Sequence, residues 1–307
     1  MVFSMSSYIL TSCSPADISK DHFQRLNIPY VSFHYELGGT TRPDDLWTTM
    51  SPRDFYQAML DGAETHTSQV NVMEYINFWR PFLEQGKDVL HVTLSSGISG
   101  TYNSAMTAAE AVMHDYPERK VRVVDSMAAS SGFGLLLDTM AEKRDAGASL
   151  EELAQFAEEH RLYLHHWFFS SDLTFYIRGG RVTKTAGFFG KLLNICPMLN
   201  VNNQGRLIPR EKIRTKKKAI IAIVEHMKEH AEGGLNYSQK VFLSHSDALE
   251  DAQQVAAGKG KYISPDLQVD ASTCLFPEYT WFIKNLYHST NPGQVEEMIA
   301  ALFDFVD

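Results

Sequence analysis

The chain has 307 residues, of which 44% are hydrophobic and 21% charged. That is a globular mixture with room for two domains, and it excludes a disordered, collagen-like or coiled-coil chain. With 28 Lys and Arg against 37 Asp and Glu the formal net charge is -9, which repels nucleic acid at long range and leaves only small anions held by local donors.

Cys13, Cys196 and Cys274 form no CxxC or Cys/His cluster, which fits a reducing, cytoplasmic setting. The opening MVFSMSSYILTSCSP has no basic segment ahead of its apolar residues, so no signal peptide is expected. The apolar runs are too short for transmembrane insertion.

Residues 8–13 (YILTSC) predict a first strand, followed by a Ser/Pro/Asp turn and a helix around 17–26. A second strand is expected near 29–37, ended by Gly38 and Gly39. Ser51-Pro52-Arg53-Asp54 supplies a cap, a proline at the first helical position and an acidic third position, opening a helix to about Leu60. Asn71 to Leu83 is helical in pattern and 88–94 (DVLHVTL) is a strand. A Ser/Gly turn at 95–101 leads to a helix over 102–114, and 121–125 (VRVVD) is a strand before a helix over 130–146. Ser149 with Glu152 is a capping box for a helix at 150–160. Strand, small-residue loop and helix in alternation imply a mostly parallel sheet with helices on both faces.

After residue 160 the grammar changes to α+β. HHWFFSS is a strand, 185–195 a short helix, and the segments around Asn202 to Gly205 a hairpin. Ile220, Ile223, Val224 and Met227 give 214–230 the apolar stripe of a helix lying on a sheet. A strand at 241–244 and a helix capped by Asp247 and Glu250 follow. The expected domains are an N-terminal α/β domain over 1–160 and a C-terminal α+β domain over 161–307.

The loop Ser95-Ser96-Gly97-Ile98-Ser99-Gly100-Thr101 lies at the carboxyl edge of the presumed parallel sheet, where ligands of doubly wound folds collect. Two glycines permit close approach, and hydroxyls with first-turn amides supply donors; a capped tight turn would need the same residues. The loop is not GxxxxGK[ST], not the three-glycine dinucleotide motif and not GxSxG. Thr65 to Gln69 precede a helix that Thr67, Ser68 or Asn71 could cap, and hydroxyls and free amides at a helix start also suit an anion site. Asp125 suits either organisation of the Ser loop through amides or a cation, and no HExxH or EF-hand pattern points to a metal. Arg181, in Arg178-Gly-Gly-Arg181, suits an anion clamp, and the basic stretch from Arg210 to Lys218 a solvated helix face or a partner surface. Phe168, Phe169, Phe175, Phe188, Phe189, Leu192, Leu193 and Ile195 are core candidates that could also wall an amphiphile's tail.

The runs SSGISGTYNSA, TSQ before a helix, VVDSMAASSGFG, and YIRGGRVTKTAGFFGKLLNICPML with the following hairpin and REKIRTKKKAI resemble the DegV family of fatty-acid-binding proteins, over about residues 8–230. The resemblance implies a parallel-sheet Rossmann-like domain plus an α+β domain, with a long-chain fatty acid in an interdomain pocket. It implies no cofactor, no catalysis by the chain alone, and an ATP-dependent kinase subunit as partner, which makes the acyl phosphate used in phospholipid synthesis. Carried over by motif, the carboxylate-binding residues are Thr67 and Ser68, then Ser95, Ser96 and Ser99, then Arg181, Arg214 and His288. Two departures stand out. Cys13-Ser14 replaces the family's acid-Ser pair after the first strand, and His288 sits in HSTNPG, one residue longer than the family's HTGPG-like segment, before a predicted helix over 294–305. The alternatives are an enzyme for a small phosphorylated or hydroxylated metabolite, with the Ser loop as its anion site, and a DegV-like binder of a different ligand.

Overall fold

The computed structural model of the protein describes residues 8–171, 173–182, 195–230, 240–257 and 279–284. The predicted helix at 294–305 and the HSTNPG segment lie outside those residues, as does the helix predicted at 185–195 except for Ile195, which opens a strand.

The first half builds a parallel sheet. Strands β1 (Tyr8–Cys13), β2 (Tyr30–Val31), β6 (Asp88–Thr93) and β7 (Val121–Asp125) run in the order β2-β1-β6-β7, with every pairing parallel. All six residues of β1 are buried, as a strand covered on both faces must be. The intervening helices α3 (Val72–Glu84), α4 (Thr101–Asp115), α5 (Ser130–Asp145) and α6 (Leu150–His160) fall where the periodicity places them. Asn71 and Ser149 close complete capping boxes on α3 and α6.

Two predicted elements are corrected. The helix expected over 17–26 is a 3-10 turn at Ser14–Ala16 followed by α1 (Lys20–Arg25). Asp17 takes the left-handed region at φ 48° and interrupts the helix, and Ser19 Oγ restarts it by accepting the His22 amide at 3.1 Å. The strand expected over 29–37 is divided: β2 joins the parallel sheet, while β3 (His34–Leu37) turns away. Gly38 and Gly39, at φ 57° and 79°, make a two-residue hairpin turn into β4 (Thr40–Pro43). On its other side β3 pairs with β5 (Thr65–Ser68), completing a small antiparallel sheet in which α2 (Pro52–Leu60) packs Phe55, Tyr56 and Met59 against Tyr35. Neither β4 nor β5 was visible in the sequence, because TTRP and THTS carry no apolar alternation.

The second half is antiparallel. Strands β8 (His165–Ser170), β9 (Ile195–Val201), β10 (Leu207–Arg214), β11 (Val241–His245) and β12 (Tyr279–Lys284) follow the order β10-β9-β8-β12-β11. Helices α7 (Thr174–Arg178), α8 (Lys216–His230) and α9 (Leu249–Ala257) complete the described elements. The start of α9 differs from the expected Asp247 cap: Asp247 takes φ 50°, and His245 Nδ1 accepts the amide of Ala248 at 3.2 Å.

Helix α5 touches the first 3-10 turn on one side and β11 and β12 on the other, so it is buried from Ser130 to Ala141. A Cβ at Gly134 would meet Ala16 O at 2.6 Å, so glycine permits that approach. Within α5, Asp138 accepts from His22 Nε2 at 2.8 Å and from Lys240 Nζ. Burial alone would raise the Asp138 carboxyl, but these two donors hold it below its ordinary range. No helix among the described residues is long and apolar enough to cross a membrane.

Candidate functional site

Because β1, β6 and β7 are parallel, their carboxyl ends at Cys13, Thr93 and Asp125 share one edge of the sheet. The loops leaving that edge carry most of the residues singled out from the sequence.

The Ser loop is held from two directions. Asp125 Oδ1 accepts the amides of Ser96 at 3.1 Å and Met127 at 3.0 Å, the loop-organising option for this residue. Ser95 is fully buried; its hydroxyl donates to Gly205 O at 2.8 Å and accepts the Gly97 amide at 3.1 Å. Gly205 sits in the turn between β9 and β10, so the hairpin tip of the second half rests on the Ser loop of the first. Both glycines are required by this approach: a Cβ on Gly97 would lie 2.3 Å from Gln204 O, and one on Gly205 would lie 1.9 Å from Ser95 Oγ. The single proton of Ser95 is therefore spent on the hairpin in this arrangement, and Ser95 can offer a ligand no donor.

The outer end of the loop meets Gln69, the residue after β5. Ser99 Oγ accepts the Thr101 amide at 3.2 Å and donates to Gln69 Oε1 at 3.3 Å, while Gln69 Nε2 donates to Ser104 Oγ at 3.0 Å. Gln69 thus ties the start of α3 to the first turn of α4. Ser96 is exposed, and its side chain stands at the loop surface.

Thr67 and Arg181, separated by 114 residues, meet directly. Arg181 Nη2 donates to Thr67 Oγ1 at 3.2 Å, and Nη1 donates to Gly179 O at 2.5 Å. The turn after α7 that carries Arg181 is fixed by backbone bonds from Gly180 to Ile177 O and from Arg181 to Tyr176 O. Burial pulls the Arg181 guanidinium below its ordinary value, yet a guanidinium remains a cation at neutral pH. Thr67 uses a lone pair to accept from Arg181, which leaves its own proton to donate. A partly buried cation beside a hydroxyl with a free proton has the chemistry to hold an anion.

The remaining candidates lie elsewhere. Ser68 follows Thr67 along β5 and by the pleat points to the opposite face; it is exposed opposite His34. Arg214 ends β10, paired with Ile195 and exposed, at the far end of the hairpin from Gly205. At ordinary strand rise that separates it from Leu207 by about 24 Å. His288 lies outside the described residues, as do Phe188, Phe189, Leu192 and Leu193. Phe168 and Phe169 do not form one wall: alternation on β8 sends Phe168 into the core of the parallel sheet and Phe169 into the separate core under α8.

Asp44 was not singled out from the sequence. Buried beside the loop after β1, it accepts a bond from Ser14 and the Leu46 amide at 3.4 Å. Burial raises its carboxyl above the ordinary value despite these bonds. Ser14 Oγ in turn accepts the Phe33 amide at 3.0 Å. A carboxyl thus reaches the loop after β1 even though position 13 is cysteine. Only the fold reveals it, since 31 residues separate Asp44 from Cys13.

A family model described as "Uncharacterised protein, DegV family" matches residues 9–270. A DegV domain-containing protein of Clostridium perfringens is 32% identical over 87% of this chain and 91% of that protein. A protein of Thermotoga maritima named "Fatty acid-binding protein" is 33% identical over 72% of this chain and 76% of its own length. A DegV family protein from Thermus thermophilus, whose structure is described by its fatty acid binding, shares 29% identity and a TM-score of 0.76, covering 91% of this chain and 99% of that one.

Proposed function

The chain belongs to the DegV family, and from that premise we propose that it binds a long-chain fatty acid with the carboxylate at Thr67 and Arg181. The observation that carries this reading is the 3.2 Å bond between Arg181 Nη2 and Thr67 Oγ1, two residues before Gln69, whose side chain bonds Ser99 of the Ser loop. The guanidinium supplies charge and the threonine proton supplies direction. The names of the Thermotoga and Thermus relatives support the ligand class. An acyl tail demands apolar walls, because each methylene left in water forfeits about 0.8 kcal/mol.

The finer reading is a carrier that presents the carboxylate to a separate ATP-dependent kinase for acyl-phosphate formation. The sequence supports it by lacking a Walker-type loop of its own. We place the domain boundary near residue 160, between the parallel sheet of β1, β2, β6 and β7 and the antiparallel sheet of β8 to β12. An enzyme for a small phosphorylated or hydroxylated metabolite, with the Ser loop as its anion site, is disfavoured because the buried hydroxyl of Ser95 is engaged with Gly205 and Gly97.

The test is mass spectrometry of lipid released from the purified protein, followed by fatty-acid affinity in Arg181→Ala and Thr67→Val. Losing a bond to a charged group costs about 1.5–3 kcal/mol, so affinity should fall about ten- to hundredfold with the thermal transition retained. Absence of fatty acid from the native protein, or unchanged affinity in both variants, overturns the proposal.

A further inference from the structure

Helix α8 buries Ala219, Ile220, Ile223, Val224 and Met227 against Trp167, Phe169 and Met198 of the antiparallel sheet. On the flank of that contact, His226, Glu229 and His230 present donor atoms that all lie within 4.8 Å of one another. The two histidines are one helical turn apart and the glutamate falls between them, so a single face of α8 carries all three.

Each histidine has one nitrogen already held by an oxygen. His226 Nε2 is 2.5 Å from Glu211 Oε1 on β10, and His230 Nδ1 is 2.8 Å from the carbonyl of His226. If those nitrogens carry the protons of neutral rings, the lone pairs fall on His226 Nδ1 and His230 Nε2. Metal-binding histidines show this same pattern, with the distal N–H given to a carboxylate or carbonyl. The His226 ring is also fixed by Trp167, stacked at 3.7 Å and 6°.

His226 Nδ1 is buried with no hydrogen-bond partner, although Glu229 Oε2 lies 3.3 Å away. A contact at that distance without hydrogen-bond geometry means that the nitrogen and the carboxylate oxygen do not aim at each other. Two donors bound to one tetrahedral ion at 2.0–2.1 Å stand about 3.3–3.4 Å apart, which is the separation found. A buried nitrogen without a hydrogen-bond partner is unfavourable, and a cation held jointly by it and the nearby carboxylate removes that deficit.

We propose that His226, Glu229 and His230 form a three-ligand site for a divalent ion of the zinc class, with Glu211 as a positioning carboxylate. Three protein ligands leave a fourth position open to water. Glu229 is exposed, which gives the ion a path in. The site is independent of the proposed lipid site, because Trp167 and Phe168 point to opposite faces of β8 and only the Phe168 face joins the core of the parallel sheet.

The experiment is calorimetric titration of the full chain with zinc chloride in a non-chelating buffer, with cobalt(II) as an optical probe of geometry. The expected result is one ion per chain, a tetrahedral cobalt spectrum, and a zinc-dependent rise in melting temperature. All three should be lost in His226→Asn, in His230→Asn and in Glu229→Gln, whose exposed position makes it the safest variant for folding. Glu211→Gln should keep the site but weaken it about ten- to hundredfold, and the exposed His114→Ala should change nothing. The proposal is overturned if wild type takes up no stoichiometric zinc or if Glu229→Gln binds as wild type does. It is equally overturned if nitrogen NMR with zinc present shows both nitrogens of His226 protonated, the signature of a plain imidazolium bridge between Glu211 and Glu229.

Discussion

Replacing Gly205 by alanine should destabilise the protein through Ser95, 110 residues away. Gly205 has φ 67°, a region that costs a residue with a Cβ about 1–2 kcal/mol. The new Cβ would stand 1.9 Å from Ser95 Oγ, so the hydroxyl must leave its position between Gly205 O and the Gly97 amide. Two buried hydrogen bonds at about 1 kcal/mol each are then lost, for a total of about 3–4 kcal/mol. Ser95→Ala alone loses the same two bonds, about 2 kcal/mol. In that background Gly205→Ala meets no hydroxyl and retains mainly its backbone cost, so the double variant should resemble Gly205→Ala. Urea midpoints with unchanged slopes measure all four corners of the cycle. The coupling should be about 2 kcal/mol in favour of the double variant; single effects that add to within about 0.5 kcal/mol refute the clasp.

Acid should weaken the fold through two histidines. Burial pulls His91 down to about 3, inside a ring cluster of Tyr75, Phe78 and Trp79, and pulls His166 down to about 4. Both stay neutral in the folded protein while the unfolded chain takes up protons below about 6.5. Stability is therefore highest above pH 6.5 and falls on acidification, each histidine contributing up to about tenfold in the unfolding constant per pH unit until its folded value is reached. His91→Phe should reduce that dependence in urea titrations between neutral pH and about pH 5; an unchanged slope sinks the assignment. Cys13 is buried and its thiol is pushed up to about 12, so an aromatic disulfide reagent at mildly alkaline pH should label it only after unfolding. Rapid native labelling at that peptide would contradict its burial. Arg181→Lys keeps the charge but cannot span Gly179 O and Thr67 Oγ1 together, and fatty-acid affinity should fall between wild type and Arg181→Ala.

The sequence by itself determined the parallel sheet, its helices and the hairpin turn at Asn202 to Gly205, because those features are written in local codes. Apolar runs, 3.6-residue stripes, and caps such as Ser51, Asn71 and Ser149 act within a few residues of themselves. The order of motifs also carried the family. Tertiary structure alone decided what those motifs touch. THTS became a strand only because β3 offered it a partner, which polar composition cannot announce. The pleat then sent Thr67 toward Arg181 and Ser68 away from it. The Ser loop read as a set of equivalent donors, yet burial under Gly205 took the proton of Ser95 and left Ser96 at the surface. Arg214 belongs to the same hairpin as Gly205 but lies a strand's length from it. His226 and Glu211 are 15 residues apart and carry no motif between them. Hydrogen bonds between distant segments depend on where whole elements pack, and no local pattern of residues encodes that distance.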